Sequence, residues 1–179
     1  MDIVHAPNDI LLMPSKPVKK VDDGIRKLIT AMKKVLIASD IGVGLAAPQV
    51  GIAKRLFLIA PDLVDKKKKS FSDIAIFINP EIISKRPERQ PVRKTKKQTL
   101  EGCLSIPHIW GPVRRSNQLA VRFIDENGNE HTETFTGFPA RIIQHEIDHL
   151  NGILFTQRVL EQKGTLYEQT EGKMERIDI

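Results

Sequence analysis

The stretch Pro139-Ala140-Arg141-Ile142-Ile143-Gln144-His145-Glu146-Ile147-Asp148-His149-Leu150-Asn151-Gly152 decides what the rest of the chain must be built around. Proline is tolerated in the first turn of a helix, where its missing N–H costs nothing. Gly152 is placed to end one. Between them Ile142, Ile143, Ile147 and Leu150 recur as an apolar stripe at helical spacing. His145 and His149 stand four apart, so both imidazoles share one face of that helix and can point at a single metal ion. Glu146 is close enough to reach a metal-bound water without being a ligand itself. Two ligands and a base on one rigid element is the arrangement a metal-dependent hydrolase needs. The bland alternative is a pair of helix histidines that fits a short pattern by chance. The amphipathic helix around them, with its clear start and stop, weighs against it.

Moving outward, the segments 119–125 and 130–136 read as strands and flank Glu126-Asn127-Gly128-Asn129, whose Asn-Gly pair signals a hairpin turn. Two further runs, 55–60 and 74–79, are rich in apolar and β-branched residues. A first helix is expected over 22–39, capped by Asp22 or Asp23, with Ile25, Leu28, Ile29, Met32, Val35 and Leu36 as its core stripe. Strands followed by a helix, without βαβ alternation, indicate an α+β fold: antiparallel or mixed β-sheets packed around a central helix that carries the His-Glu-x-x-His motif. The tail from 157 to 179 is expected to be partly helical with a polar end. No repeat and no Gly-, Ser- or Pro-rich linker divides the chain, so residues 1–179 are read as one catalytic domain.

Composition narrows the class. The chain has 179 residues, 40% of them hydrophobic and 28% charged, with one cysteine. That is ordinary globular composition, without a disulfide framework and suited to a reducing compartment. No apolar run approaches the length of a membrane span, and the N-terminus lacks the pattern of a secretory signal. A cytoplasmic enzyme with no membrane partner is the expectation. Charge is uneven: residues 1–100 carry 20 Lys and Arg against 10 Asp and Glu, and residues 101–179 carry 8 against 12, for a net +6. Basic clusters lie at Lys66-Lys67-Lys68-Lys69 and around Arg93, Lys94, Lys96 and Lys97. They fit either solvated loops or attraction to a polyanion such as RNA.

Two histidines leave a ligand to be found, since catalytic metal sites commonly use three protein ligands plus water. The lone cysteine, Cys103, sits in Leu100-Glu101-Gly102-Cys103-Leu104-Ser105, after a glycine that allows close backbone approach and near an acidic residue. A thiolate with two imidazoles suits Zn²⁺ or Fe²⁺. A third stretch, Gly42-Val43-Gly44-Leu45-Ala46-Ala47-Pro48-Gln49-Val50-Gly51, would let backbone pass close to a ligand. It lacks the lysine of a phosphate loop and the spacing of a dinucleotide fingerprint, which excludes nucleotide binding.

Together, 42–51, 101–105 and 144–152 resemble the three signature motifs of the peptide deformylase family, in the same order. Ala6-Pro7-Asn8-Asp9-Ile10-Leu11 also resembles that family's N-terminus. The resemblance implies a hydrolase acting on a linear amide, which removes the N-formyl group from formylmethionine of newly synthesised polypeptides in a bacterial cytoplasm or bacterially derived organelle. It implies Cys103, His145 and His149 as metal ligands and Glu146 as catalytic acid and base. Gln49 and the backbone N–H of Leu104 would be oxyanion donors. Val43, Gly44 and Gly102 would line the substrate cleft. One divalent ion is implied, Fe²⁺ as the native metal with Zn²⁺ as a substitute. Nascent formylmethionyl peptides and the ribosome are the expected partners, and DNA is not. Arg115 is expected to brace Glu101. One departure is that some members carry a substrate-touching arginine shortly after the cysteine motif, whereas this chain reads Pro107-His108-Ile109-Trp110-Gly111. Two other readings remain at this point. A zinc metallopeptidase would usually take a histidine or carboxylate as third ligand, and an RNA-binding protein with a vestigial site would exploit the basic first half.

Overall fold

Leu56–Ile59 is an unbroken apolar strand, a pattern that fits burial on both faces. The computed structural model, which describes residues 1–39, 42–60, 73–86 and 100–177, shows what covers each face. Successive strand side chains point to opposite sides. Leu56 and Leu58 therefore join one core cluster, with Ile29, Met32 and Leu36 of the first helix, α1 (Asp23–Ala38). Phe57 and Ile59 join another, with Ala140, Ile143, Ile147 and Leu150 of α2 (Gly137–Leu150). The central sheet thus lies between two helices, and α2 is the one that carries the histidines.

That sheet has five strands in the order β1-β2-β3-β6-β7: β1 (Gly44–Ala46), β2 (Leu56–Ile59), β3 (Ala75–Lys85), β6 (Gln118–Ile124) and β7 (Glu130–Thr136). Every pairing is antiparallel. A second sheet, β4-β5-β8-β9, joins β4 (Leu100–Cys103), β5 (Ile106–Pro112), β8 (Tyr167–Thr170) and β9 (Lys173–Arg176), again antiparallel. The expectation of antiparallel or mixed sheets resolves to antiparallel among the described residues, where the one parallel contact is the isolated bridge between Lys16 and Lys54. A short helix, α3 (Phe155–Glu161), packs beneath the second sheet through Phe155 and Val159, beside Val113 and Leu166.

Local chemistry explains the boundaries. The Asp22 side chain accepts a hydrogen bond from the Ile25 N–H at 2.9 Å and caps α1. In the β6–β7 turn, Asp125 accepts from the N–H groups of Asn127 and Asn129 at 2.8 and 2.9 Å, and Gly128 takes φ +91°. β7 runs directly into α2, which starts two residues before Pro139. Gly152 follows the helix at φ +72°, with its N–H on the His149 carbonyl and that of Ile153 on Asp148.

Three features go beyond the sequence reading. The strand expected over 74–79 extends to Lys85, because Pro80 falls at a register shift where no ladder hydrogen bond is required. Strands β4 and β5 were not anticipated, since Gly102, Pro107 and Gly111 interrupt their alternation. The tail is helical only to Glu161 and then forms the β8–β9 hairpin, whose turn residues Glu171 and Gly172 both have positive φ, at 50° and 77°. The basic clusters at 66–69 and 93–97 lie outside the described residues.

Candidate active site

The register of α2 that packs Ile143, Ile147 and Leu150 into the core turns His145 and His149 toward Cys103 on the β4–β5 hairpin and Glu146 toward Gly44 of β1. Cys103 ends β4 at a register shift, immediately after Gly102. A Cβ on Gly102 would lie 2.9 Å from the Trp110 ring, so only glycine lets the indole close over this point. The result brings Cys103, His145 and His149 together. Their potential ligand atoms all lie within 4.8 Å of one another, and Cys103 Sγ is 3.2 Å from His149 Nε2. One thiolate and two imidazoles in that space fit a single divalent ion.

The three donors are electrostatically coupled. Burial pushes the Cys103 thiol up, but the charge of His149 and hydrogen bonds from both histidines outweigh it and hold it well below the usual thiol range. The thiolate is the ligating form. Burial pulls His145 down, yet hydrogen bonds to Cys103 and Glu101 lift it to about 10. Its Nδ1 is 3.2 Å from Glu101 Oε2, which leaves Nε2 for the opposite side. Glu101 is in turn clamped by Arg115, at 2.7 and 2.9 Å, and touched by Arg141 at 3.2 Å. Burial raises the Glu101 carboxyl, but the bonds from His145 and Arg115 win and bring it to about 2. Arg115 also reaches Asp148 at 2.8 Å, which pairs with Arg158 of α3 at 2.7 Å. The expected Arg115–Glu101 brace is present, and it extends across β4, α2 and α3.

Glu146 is 3% exposed, and its Oε2 has no hydrogen-bond partner among the described residues. Burial raises its carboxyl above the ordinary range. A Cβ on Gly44 would clash with Glu146 Oε1, so the glycine of β1 makes room for the carboxylate. Gln49 lies in the short 3₁₀ turn Ala47–Val50. Its Oε1 accepts from the Ala46 N–H at 2.8 Å, which turns its Nε2 to Cys103 Sγ at 3.4 Å and Ser105 Oγ at 3.3 Å. The amide is thus aimed at the cysteine end of the cluster.

These groups share a cavity of about 390 Å³. Val43, Gly44, Gln49, Gly102, Cys103 and Leu104 line it, as do His145 and Glu146; His149 sits behind them at 1% exposure. Every site residue expected from the sequence therefore belongs to this one region. Sequence reasoning missed the apolar end, formed by Ile106, Ile109, Trp110, Phe138 and Ile142. Phe138 and Ile142 stand seven and three residues before His145, so helical spacing could have found them. The β5 residues carry no such signal.

Similarity to known proteins agrees with this geometry. Residues 1–165 match the model of the polypeptide deformylase family. Peptide deformylase 2 of Clostridium acetobutylicum is 41% identical over 154 residues, which span 86% of this chain and 91% of that protein. A peptide deformylase of Prochlorococcus marinus is 39% identical over 179 residues, covering 100% of this chain and 83% of its own length. Among solved structures, a peptide deformylase from Synechococcus elongatus in complex with actinonin gives a TM-score of 0.75 at 37% identity, over 88% of this chain and 78% of that one. The Thermotoga maritima peptide deformylase gives 0.74 at 36%, over 87% and 95%. With the cysteine–histidine cluster, the buried glutamate and these matches in agreement, the chain belongs to the polypeptide deformylase family.

Proposed function

We propose that this chain hydrolyses the formyl amide of N-formylmethionine on newly synthesised polypeptides, giving formate and a free amino terminus. The observation that carries this reading is a buried glutamate oxygen, without a partner among the described residues, beside a Cys103–His145–His149 group at the end of an apolar cavity. Cys103, His145 and His149 would hold one divalent ion, Fe²⁺ natively with Zn²⁺ able to replace it, supplying Lewis acidity and a more acidic water. Glu146 takes the proton of the attacking water and delivers it to the leaving nitrogen, a role its raised carboxyl suits. The Gln49 amide, held by the Ala46 N–H, and the Leu104 N–H stabilise the charge that develops on the formyl oxygen. Val43, Gly44 and Gly102 flank the reacting group, and the α2 part of the apolar end, Phe138 and Ile142, receives the methionine side chain.

The same reading makes residues 1–179 one catalytic domain acting in a bacterial cytoplasm, with the ribosome as the source of substrate. No helix among the described residues is long and apolar enough to cross a membrane. The test is an assay with formyl-Met-Ala-Ser under anaerobic conditions with iron supplied. Stoichiometric formate with an intact tripeptide product supports the proposal. Cleavage of an internal peptide bond, or no formate, would sink it.

A further inference from the structure

The match to the family model ends at residue 165, yet the β8–β9 hairpin beyond it contributes a residue, Gln169, to the wall of the cavity. Two antiparallel pairings, Ile109 with Glu168 and Trp110 with Tyr167, dock β8 on β5. Gln169 stands two residues on from Tyr167 in β8, which puts it on the sheet face shared by Trp110 and Gly102. Gln49, Gln144, Gln157 and Gln162 each commit their side-chain amide to a bond within the chain. The Gln169 amide has no partner among the described residues, is exposed, and faces the cavity.

The neighbouring lining side chains are largely apolar: those of Ile106, Pro107 and Ile109 offer no polar group, that of Trp110 offers a donor only, and His108 is the exception. A peptide lying across such a surface must still satisfy its own N–H and C=O groups. A carboxamide presents one donor and one acceptor side, matching a peptide unit in both directions. The reach also fits. Neighbouring strands lie about 4.8 Å apart, so β8 is about 10 Å from β4 and Cys103, or roughly three residues of extended chain.

We propose that Gln169 is a specificity-determining residue which hydrogen-bonds the substrate backbone about three residues downstream of the formyl group. Formylated peptides too short to reach β8 do not use it. The inference rests on the deformylase reading, and the test separates the two. Formate release is measured for the wild-type enzyme and Gln169→Leu, with formyl-Met-Ala and with formyl-Met-Ala-Ser-Ala. A net hydrogen bond of ordinary strength corresponds to about three- to tenfold in affinity. Gln169→Leu is expected to raise KM for the tetrapeptide by that factor at unchanged kcat, while both constants for the dipeptide stay as in wild type. Gln169→Ala repeats the reading in case leucine disturbs the hairpin, and unchanged dipeptide kinetics verify that the site is intact. Equal changes for both peptides, or none for the tetrapeptide, overturn the proposal. A wild-type enzyme that releases no formate from either peptide refutes the deformylase reading itself.

Discussion

Glu146 and Gln49 are both almost fully buried, at 3% and 2% exposure, but in opposite conditions. Gln49 has each end of its amide engaged, whereas Glu146 keeps an oxygen with no partner among the described residues. A buried carboxylate oxygen without a bond is costly unless something else uses it, and proton transfer is such a use. Glu146→Gln preserves shape and cannot accept a proton at neutral pH. Turnover should fall by at least about two orders of magnitude, the ordinary range for general acid–base catalysis, while metal content measured by elemental analysis stays at the wild-type level. Near-full activity in that variant would remove Glu146 from the chemistry. Gln49→Leu should lower kcat at least about tenfold with the metal retained, since its amide acts on charge present only in the transition state. A loss confined to KM would assign Gln49 to ground-state binding instead. The place of Glu146 beside the two histidines was legible from helical spacing, whereas the role expected of Gln49 came only with the family resemblance, since one amide beside a tight turn is a weak signal. The Glu101–Arg141 contact was not, as nothing in a linear pattern says which of several arginines will reach a buried carboxylate.

At the level of elements, α2 shows how far periodicity can be trusted. Its limits and both of its faces follow from the apolar stripe, the early proline and the closing glycine, and so does the side on which His145 and His149 emerge. The β4–β5 and β8–β9 hairpins were hidden, because their strands are short and half-polar and their identity depends on pairing with partners distant in sequence. Gly152 gives α2 a sharp test. It adopts φ +72°, and a Cβ there would lie 2.5 Å from the Leu12 carbonyl oxygen. Gly152→Ala should therefore destabilise by more than about 1 kcal/mol, read as a fall in Tm of at least about 2–4 °C for a chain of this size. An unchanged Tm would mean the N-terminal segment yields without cost.

Across the whole molecule, Arg115 joins parts that no single element could align. Through Glu101 and Asp148 it ties β4 to α2, and through Asp148 it shares a carboxylate with α3. Glu101 sits at about 2, below the roughly 4.3 of an unfolded chain. A depressed carboxyl stabilises the fold fully above the unfolded value and loses that contribution as pH falls toward the folded one. With chelator present throughout, the wild-type Tm should drop more steeply between about pH 4.3 and about pH 2 than that of Glu101→Gln. Parallel curves would show that the brace adds nothing to acid stability. Among the described residues the second sheet ends on β9, whose Lys173, Glu175 and Arg176 carry charge on three of its four residues. An open strand edge is a template on which another copy can add. Those charges make such edge-to-edge growth unfavourable, so the hairpin that widens the cavity wall also guards the protein against aggregation at high concentration.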